Sequence, residues 1–217
     1  MSSIVDYDTL KSAIETWAAR TDTAFRGQIP TFVALAEDRL YNGAGKPGEA
    51  IYSAPLRSAT MEVAGTMTVT DGTGTLPAEA LELRKIVVSG QLTGLEYLTP
   101  ERLSLWSSNA VAGTPLYYTT RGRDVILAPP SSATLNLTYY RQYDAITPTN
   151  QTGPLIIAHG LIYLEAALYE AFAFMQEPEL ALSHLARARG MIDGANNSAT
   201  KVRTTGPLRI RQRTPLP

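Results

Sequence analysis

His159 and His184 are the only imidazoles in a chain of 217 residues that contains no cysteine. The missing thiols exclude a disulfide scaffold, a thiolate metal site and a Cys nucleophile. Each histidine lies in a helical run among apolar neighbours, and neither has the His-x-x-x-His or His-Glu-x-x-His spacing that brings several ligands to one metal. Both are read as helix histidines satisfied within the fold. No Gly-x-Ser-x-Gly elbow presents a serine. Gly43-Ala44-Gly45-Lys46 imitates a phosphate loop, but Leu40 stands where the first glycine belongs and Pro47 where Ser or Thr belongs. The carboxylates give no acid/base pair either. Glu37 and Asp38 read as the polar side of a helix, and Glu165 and Glu170 sit on a long apolar helix where a charge calls for a partner, such as an arginine of another subunit. No cofactor or metal is expected, and the chain reads as a non-enzyme.

Charge is distributed unevenly. From Ala195 onward there is no Asp or Glu, while Lys201, Arg203, Arg209, Arg211 and Arg213 supply +5; the rest has 14 basic and 20 acidic residues. An acidic body with a basic end predicts a separate partner for that end. Leu208 and Ile210 alternate with Arg209, Arg211 and Arg213 between Gly206-Pro207 and Thr214-Pro215, the pattern of a single added strand. A tail without fixed structure is the other reading. A nucleic-acid grip is a third, although no aromatic residue follows Phe174 to stack on bases. Eleven Tyr against four Phe point to partly wet seams, and Tyr163 and Tyr169 beside Glu165 and Glu170 are candidates for a subunit interface.

The elements that must hold these residues change period twice. Two helices open the chain, one capped by Asp8 with Leu10, Ile14 and Trp17 on a face, the next after Gly27 and Pro30 with Phe32, Leu35, Ala36 and Leu40. Alternation over Thr60–Thr70, with Gly65 as a bulge or bend, then Leu83–Val88, a hairpin around Arg121-Gly122-Arg123 and Thr134–Tyr143 predict five or six strands. Thr99-Pro100-Glu101 starts a short helix carrying Leu103 and Trp106. A long apolar helix runs from Pro154 with Ile157, Leu161, Leu164, Leu168 and Phe172 in step. Another begins at Glu177-Pro178 with Leu182, Leu185 and Ile192, and ends at Gly194–Ser198. The expected class is α+β. Residues 1–50 and 150–198 form a helical bundle, 51–149 an inserted antiparallel β lobe with one short helix, and 199–217 an extended C-terminal arm. No signal segment opens the chain and no uninterrupted apolar stretch is long enough to span a membrane, so a cytoplasmic origin with no membrane contact is expected.

The order of these motifs resembles the head–tail adaptor (connector) proteins of tailed bacteriophages. The likeness rests on Pro30–Leu40, Leu76–Lys85, Tyr97–Leu103, Gly113–Tyr118 leading to Leu127–Pro130 and Leu137–Arg141, and Tyr163–Ala171. It departs at Asn150–Leu155, where similar proteins often carry an Asn-Trp-Leu-like segment. The resemblance implies a virion protein at the head–tail junction, in a ring of about twelve copies between portal and tail or nozzle proteins. It implies that DNA passes the channel without specific binding. It also implies that the arm, with Arg203, Leu208, Arg209, Ile210, Arg211 and Arg213, docks on the portal. A tail-terminator or tail-completion protein, or a nucleic-acid binder using the basic arm, is the alternative.

Overall fold

The structure, a computed structural model, describes residues 4–107 and 113–204. Its class is α+β. Four helices, α1 (Tyr7–Trp17), α2 (Thr23–Asn42), α4 (Pro154–Phe174) and α5 (Pro178–Thr204), share one apolar core, and α4 is its hub because α1, α2 and α5 all pack on it. Mean hydropathy and length alone would let α4 cross a membrane, yet 67% of that stretch is buried inside the protein. It is apolar because helices cover it on several sides.

Helix boundaries follow local chemistry more than the expected punctuation. Asp6, not Asp8, caps α1: its carboxylate accepts from the Thr9 amide at 2.8 Å, while the Thr9 hydroxyl answers the Asp6 amide at 3.2 Å. α2 begins at Thr23 under an Asp22 cap and runs through Gly27 and Pro30. Phe25 and Ile29, both fully buried, tie the segment before the proline to the core, so burial outweighs the lost helix hydrogen bond. Gly43 ends α2 at φ 72, with the Ser53 carbonyl so close that a side chain would collide with it.

Residue His159 has non-helical backbone angles (φ −132, ψ 32), which kinks α4 and re-aims its faces. Leu155 and Ile156 point inward before the kink, and Leu164, Leu168 and Phe172 after it, whereas Ile157 and Leu161 are exposed. Gly160, just beyond the kink, lies against the main chain of Ile4 with no room for a Cβ. In α5 the buried stripe is Ala181, His184, Leu185, Ala188, Ile192 and Ala199, so Leu182 faces outward. Gly194–Ser198 does not end this helix, which continues to Thr204. Trp17 and Leu35, expected on buried faces, are exposed as well.

Among the described residues, seven strands and α3 (Pro100–Ser107) lie between the two helix pairs. β1 (Glu62–Val69), β7 (Ala133–Arg141) and β3 (Ala80–Val88) form one sheet in the order β1-β7-β3. β2 (Thr73–Thr75), β6 (Asp124–Ala128), β5 (Tyr117–Arg121) and β4 (Glu96–Tyr97) form the other, in the order β2-β6-β5-β4. Pairing is antiparallel except for β4 with β5. Met67, Val69, Ile86, Val125, Leu127, Leu135, Leu137 and Tyr139 fill the space between them. β7 serves both cores, because successive side chains of a strand face opposite ways: Tyr139 joins the sheet core and Tyr140 the helical one. Gly65 is no bulge. Its register runs unbroken opposite Leu137, and a Cβ there would meet the Tyr139 ring at 2.9 Å. The irregularities fall instead in β3, at Ala80/Glu82 and Leu83/Lys85.

Candidate functional site

The carboxylates singled out in the sequence have partners inside this chain. Glu165 is buried and lies 2.7 Å from Nδ1 of His184, with Arg187 3.9 Å away at the surface. The His184 ring stacks on Phe172 at 5.0 Å and meets the edge of Trp17. Glu170 pairs with Arg39 at 3.0 Å, and the same guanidinium covers the Tyr169 ring at 4.4 Å. Tyr163 is 1% exposed. Of the expected interface set, Tyr163 and Glu165 are buried within the chain, and Tyr169 and Glu170 are half-buried beside Arg39.

Glu37 was placed on the polar side of α2, and the structure puts it inside. Val33, Ala36, Leu40 and Tyr41 surround its position on the buried face, and its carboxylate accepts from the Tyr163 hydroxyl at 3.2 Å and the Ile146 amide at 3.1 Å. Burial pushes its pKa up against those two hydrogen bonds, which favour the charged form. Tyr163 is itself pushed well above its ordinary value, by burial and by the carboxylate. The group is a clasp that holds the strand-to-helix connection at Ile146 to α2 and α4. Among the described residues it meets no second carboxylate and no imidazole, so they assemble no acid/base pair there.

The histidines differ from each other. His184 is satisfied as expected. His159 is not: among the described residues its Nε2 is buried without a hydrogen-bond partner, and burial holds its pKa below the ordinary value. It lines a cavity of about 290 Å³ with Ser58, Ala195, Ser198 and Ala199, and the Ser58 hydroxyl is equally unpartnered. Among the described residues no acid bonds this imidazole, so they assemble no nucleophile triad there. The phosphate-loop imitation is a helix end: the Ala44 amide bonds the Ser53 carbonyl at 2.9 Å, and the Ser53 amide bonds the Ala44 carbonyl at 2.8 Å. Among the described residues no group of three or more His, Cys, Asp or Glu could hold a metal ion.

Two residues that the sequence did not single out tie the parts together. Arg57 donates to Glu82 of β3 at 3.0 Å and to the main-chain carbonyls of Tyr41 and Leu56, while its amide donates to Asn196 of α5 at 2.6 Å. Arg39 is the second, through Glu170. Their partners lie up to 139 residues away, and no local pattern signals such a pair.

What remains accessible is surface suited to other macromolecules. A groove of about 340 Å³ is lined by Ile51, Tyr169, Ala173, Gln176, Pro178, Ala181 and Leu182, at the turn between α4 and α5. Phe174 and Leu180, close by in sequence, are also about half exposed. An open cleft between the sheets is lined by Leu76, Leu81, Leu83, Tyr97 and Tyr118, with Glu82 among them. Of the expected arm, Arg203 is in the last turn of α5, and Leu208, Arg209, Ile210, Arg211 and Arg213 lie outside the described residues.

Large apolar side chains left half exposed, with the polar groups spent on internal clasps, are what a component of a protein assembly requires. No curated protein matches the sequence. The family profile described as SU10 adaptor protein matches residues 5–211, nearly the whole chain. The chain belongs to the SU10 adaptor protein family and is a phage adaptor protein.

Proposed function

We propose that this adaptor forms a ring between the phage portal and the tail or nozzle proteins, and that its C-terminal segment docks on the portal. The observation that carries the reading is the family match, which extends through residue 211 and so takes in Leu208–Arg211 of the basic segment. The charge split supports it. The five cations after residue 194 have no acid among them, and the remaining body is net negative, which suits a channel that lets DNA pass without holding it. The protein is then a virion component with a structural role, made in the host cell, and the ring has about twelve copies if it follows the portal's symmetry.

We read the docking segment as residues 205–217, because Ala199 is buried in the helical body and α5 runs to Thr204. Electron microscopy of the full chain, alone and after mixing with portal, tests the ring directly. A ring seated on the portal is expected. Truncation after Thr204 is expected to abolish portal binding while the body stays folded; normal portal binding by that truncation overturns the docking reading. Tail tubes that capture the chain when portal does not would assign it to tail completion instead. DNA binding that weakens steeply with salt would assign the cations to nucleic acid.

A further inference from the structure

We infer that the groove at the α4–α5 turn receives the Leu208–Arg213 segment of a second copy of this chain. The groove is apolar where Ile51, Ala173, Ala181 and Leu182 meet, and Ile51 and Leu182 stand 47% and 40% exposed. Glu177 and Glu179 flank its Pro178, and among the described residues neither is in an ion pair. Glu49 stands two residues before Ile51, and Arg39 at the edge is already neutralised by Glu170 at 3.0 Å. Arg189 donates to the Ala50 carbonyl at 3.5 Å and Arg39 to the Ile51 carbonyl at 3.4 Å, so the trough is apolar with acids at its Pro178 end and arginines at its Ile51 end.

Leu208 and Ile210 alternate with Arg209, Arg211 and Arg213, so a strand formed by this segment on docking would have one aliphatic and one cationic face. The aliphatic face fits the trough, and the arginines reach Glu177 and Glu179. No other run in the chain alternates branched apolar residues with arginines in this way.

The segment must come from another molecule. Leu182 and Thr204 are 22 residues apart on one helix, which is about 33 Å. Only Thr205, Gly206 and Pro207 lie between Thr204 and Leu208, so Leu208 stands at most about 14 Å and Ile210 at most about 22 Å from Thr204. The contact therefore runs from the C-terminal end of one copy to the opposite end of another. Such a head-to-tail contact repeats around a ring and cannot close within a pair unless the chains swap. The inference gives the ring a defined contact before its segments move to the portal; it rests on the ring part of the proposed function and does not need portal docking. One segment serving two docks means that portal competes for it.

The absence of native cysteine makes the test direct. Full-length Leu182→Cys and full-length Ile210→Cys are mixed and oxidised, and the mixed disulfide is compared with that from Leu92→Cys and Ile210→Cys, since Leu92 is 98% exposed and reports random collision. A yield severalfold above the control is expected. It should fall severalfold in Glu177→Lys/Glu179→Lys chains, at high salt, and when portal is added. A yield no higher than the control overturns the contact, and so does a disulfide that forms only within single chains carrying both cysteines. Yield unchanged with portal bound overturns the competition. Rings seen by microscopy without the cross-link sink this inference and leave the ring standing; the cross-link without portal binding does the reverse.

Discussion

At the scale of single residues, Glu37 shows how a buried acid can serve structure alone. Its raised pKa means that the folded state favours the protonated form, so its contribution is full below the ordinary carboxylate range and is lost as pH rises through the folded value. Glu37→Gln keeps an acceptor for Tyr163 and Ile146 and should flatten that part of the stability–pH curve, with little loss at neutral pH. Glu37→Leu strands both donors and should cost about 1–3 kcal/mol in denaturant unfolding. His184→Leu leaves Glu165 buried with only the distant Arg187, and about 3 kcal/mol of lost stability is expected. Unchanged unfolding midpoints for Glu37→Leu and His184→Leu would show that neither clasp holds the core. The place of Glu37 was partly legible: it sits four residues after Val33 and four before Tyr41, on the face they share. The run Glu37-Asp38-Arg39 hid it, because three adjacent charges suggest a solvated side although helix geometry sends adjacent residues in different directions. The partners of Glu165 and Glu170 were not legible, since the second depends on a helix 131 residues earlier.

At the scale of elements, propensity and turn chemistry carried the reading as far as they reach. The hairpin around Gly122, the start of α3 at Pro100 and the apolar run of α4 follow from local residues. β2 and β4 did not, because strands of three and two residues carry no alternation and exist only through the neighbours they pair with. Pro30 and the Gly194–Ser198 stretch read as helix breakers but lie within helices whose packed faces continue past them. The kink at His159 was invisible for a different reason. It lies beside the close seating of Ile4 on Gly160, a contact between residues 156 positions apart. Gly160→Ala should push the Ile4 main chain away and cost about 1–3 kcal/mol, without loss of helix content by circular dichroism. A variant as stable as the parent would show that the N-terminal segment moves aside freely.

At the scale of the whole molecule, the class and the family were within reach of the sequence, because both rest on the order of long periodic segments. Interfaces were not, because exposure depends on how helices rotate against each other: Leu182 and Trp17 faced outward and Tyr163 inward, against their apolar spacing. The two C-terminal cuts separate body from docking segment. Truncation after Thr204 should leave Tm unchanged, whereas truncation after Ser198 removes the buried Ala199 and the end of α5. A loss of about 1 kcal/mol there would lower Tm by about 2–4 °C. Equal melting of the two would put the body's boundary before residue 199. The central place of α4 reaches back to synthesis. α1 and α2 pack on α4 far more than on each other, and the Tyr7 amide bonds the Gln151 carbonyl at 2.8 Å. On the ribosome the first helices must wait, apolar faces open, until the last third of the chain has emerged, while the strands between have already been made. The nascent chain is therefore most exposed to chaperones and to aggregation during translation of its middle, and the helical body closes only after α4 has emerged.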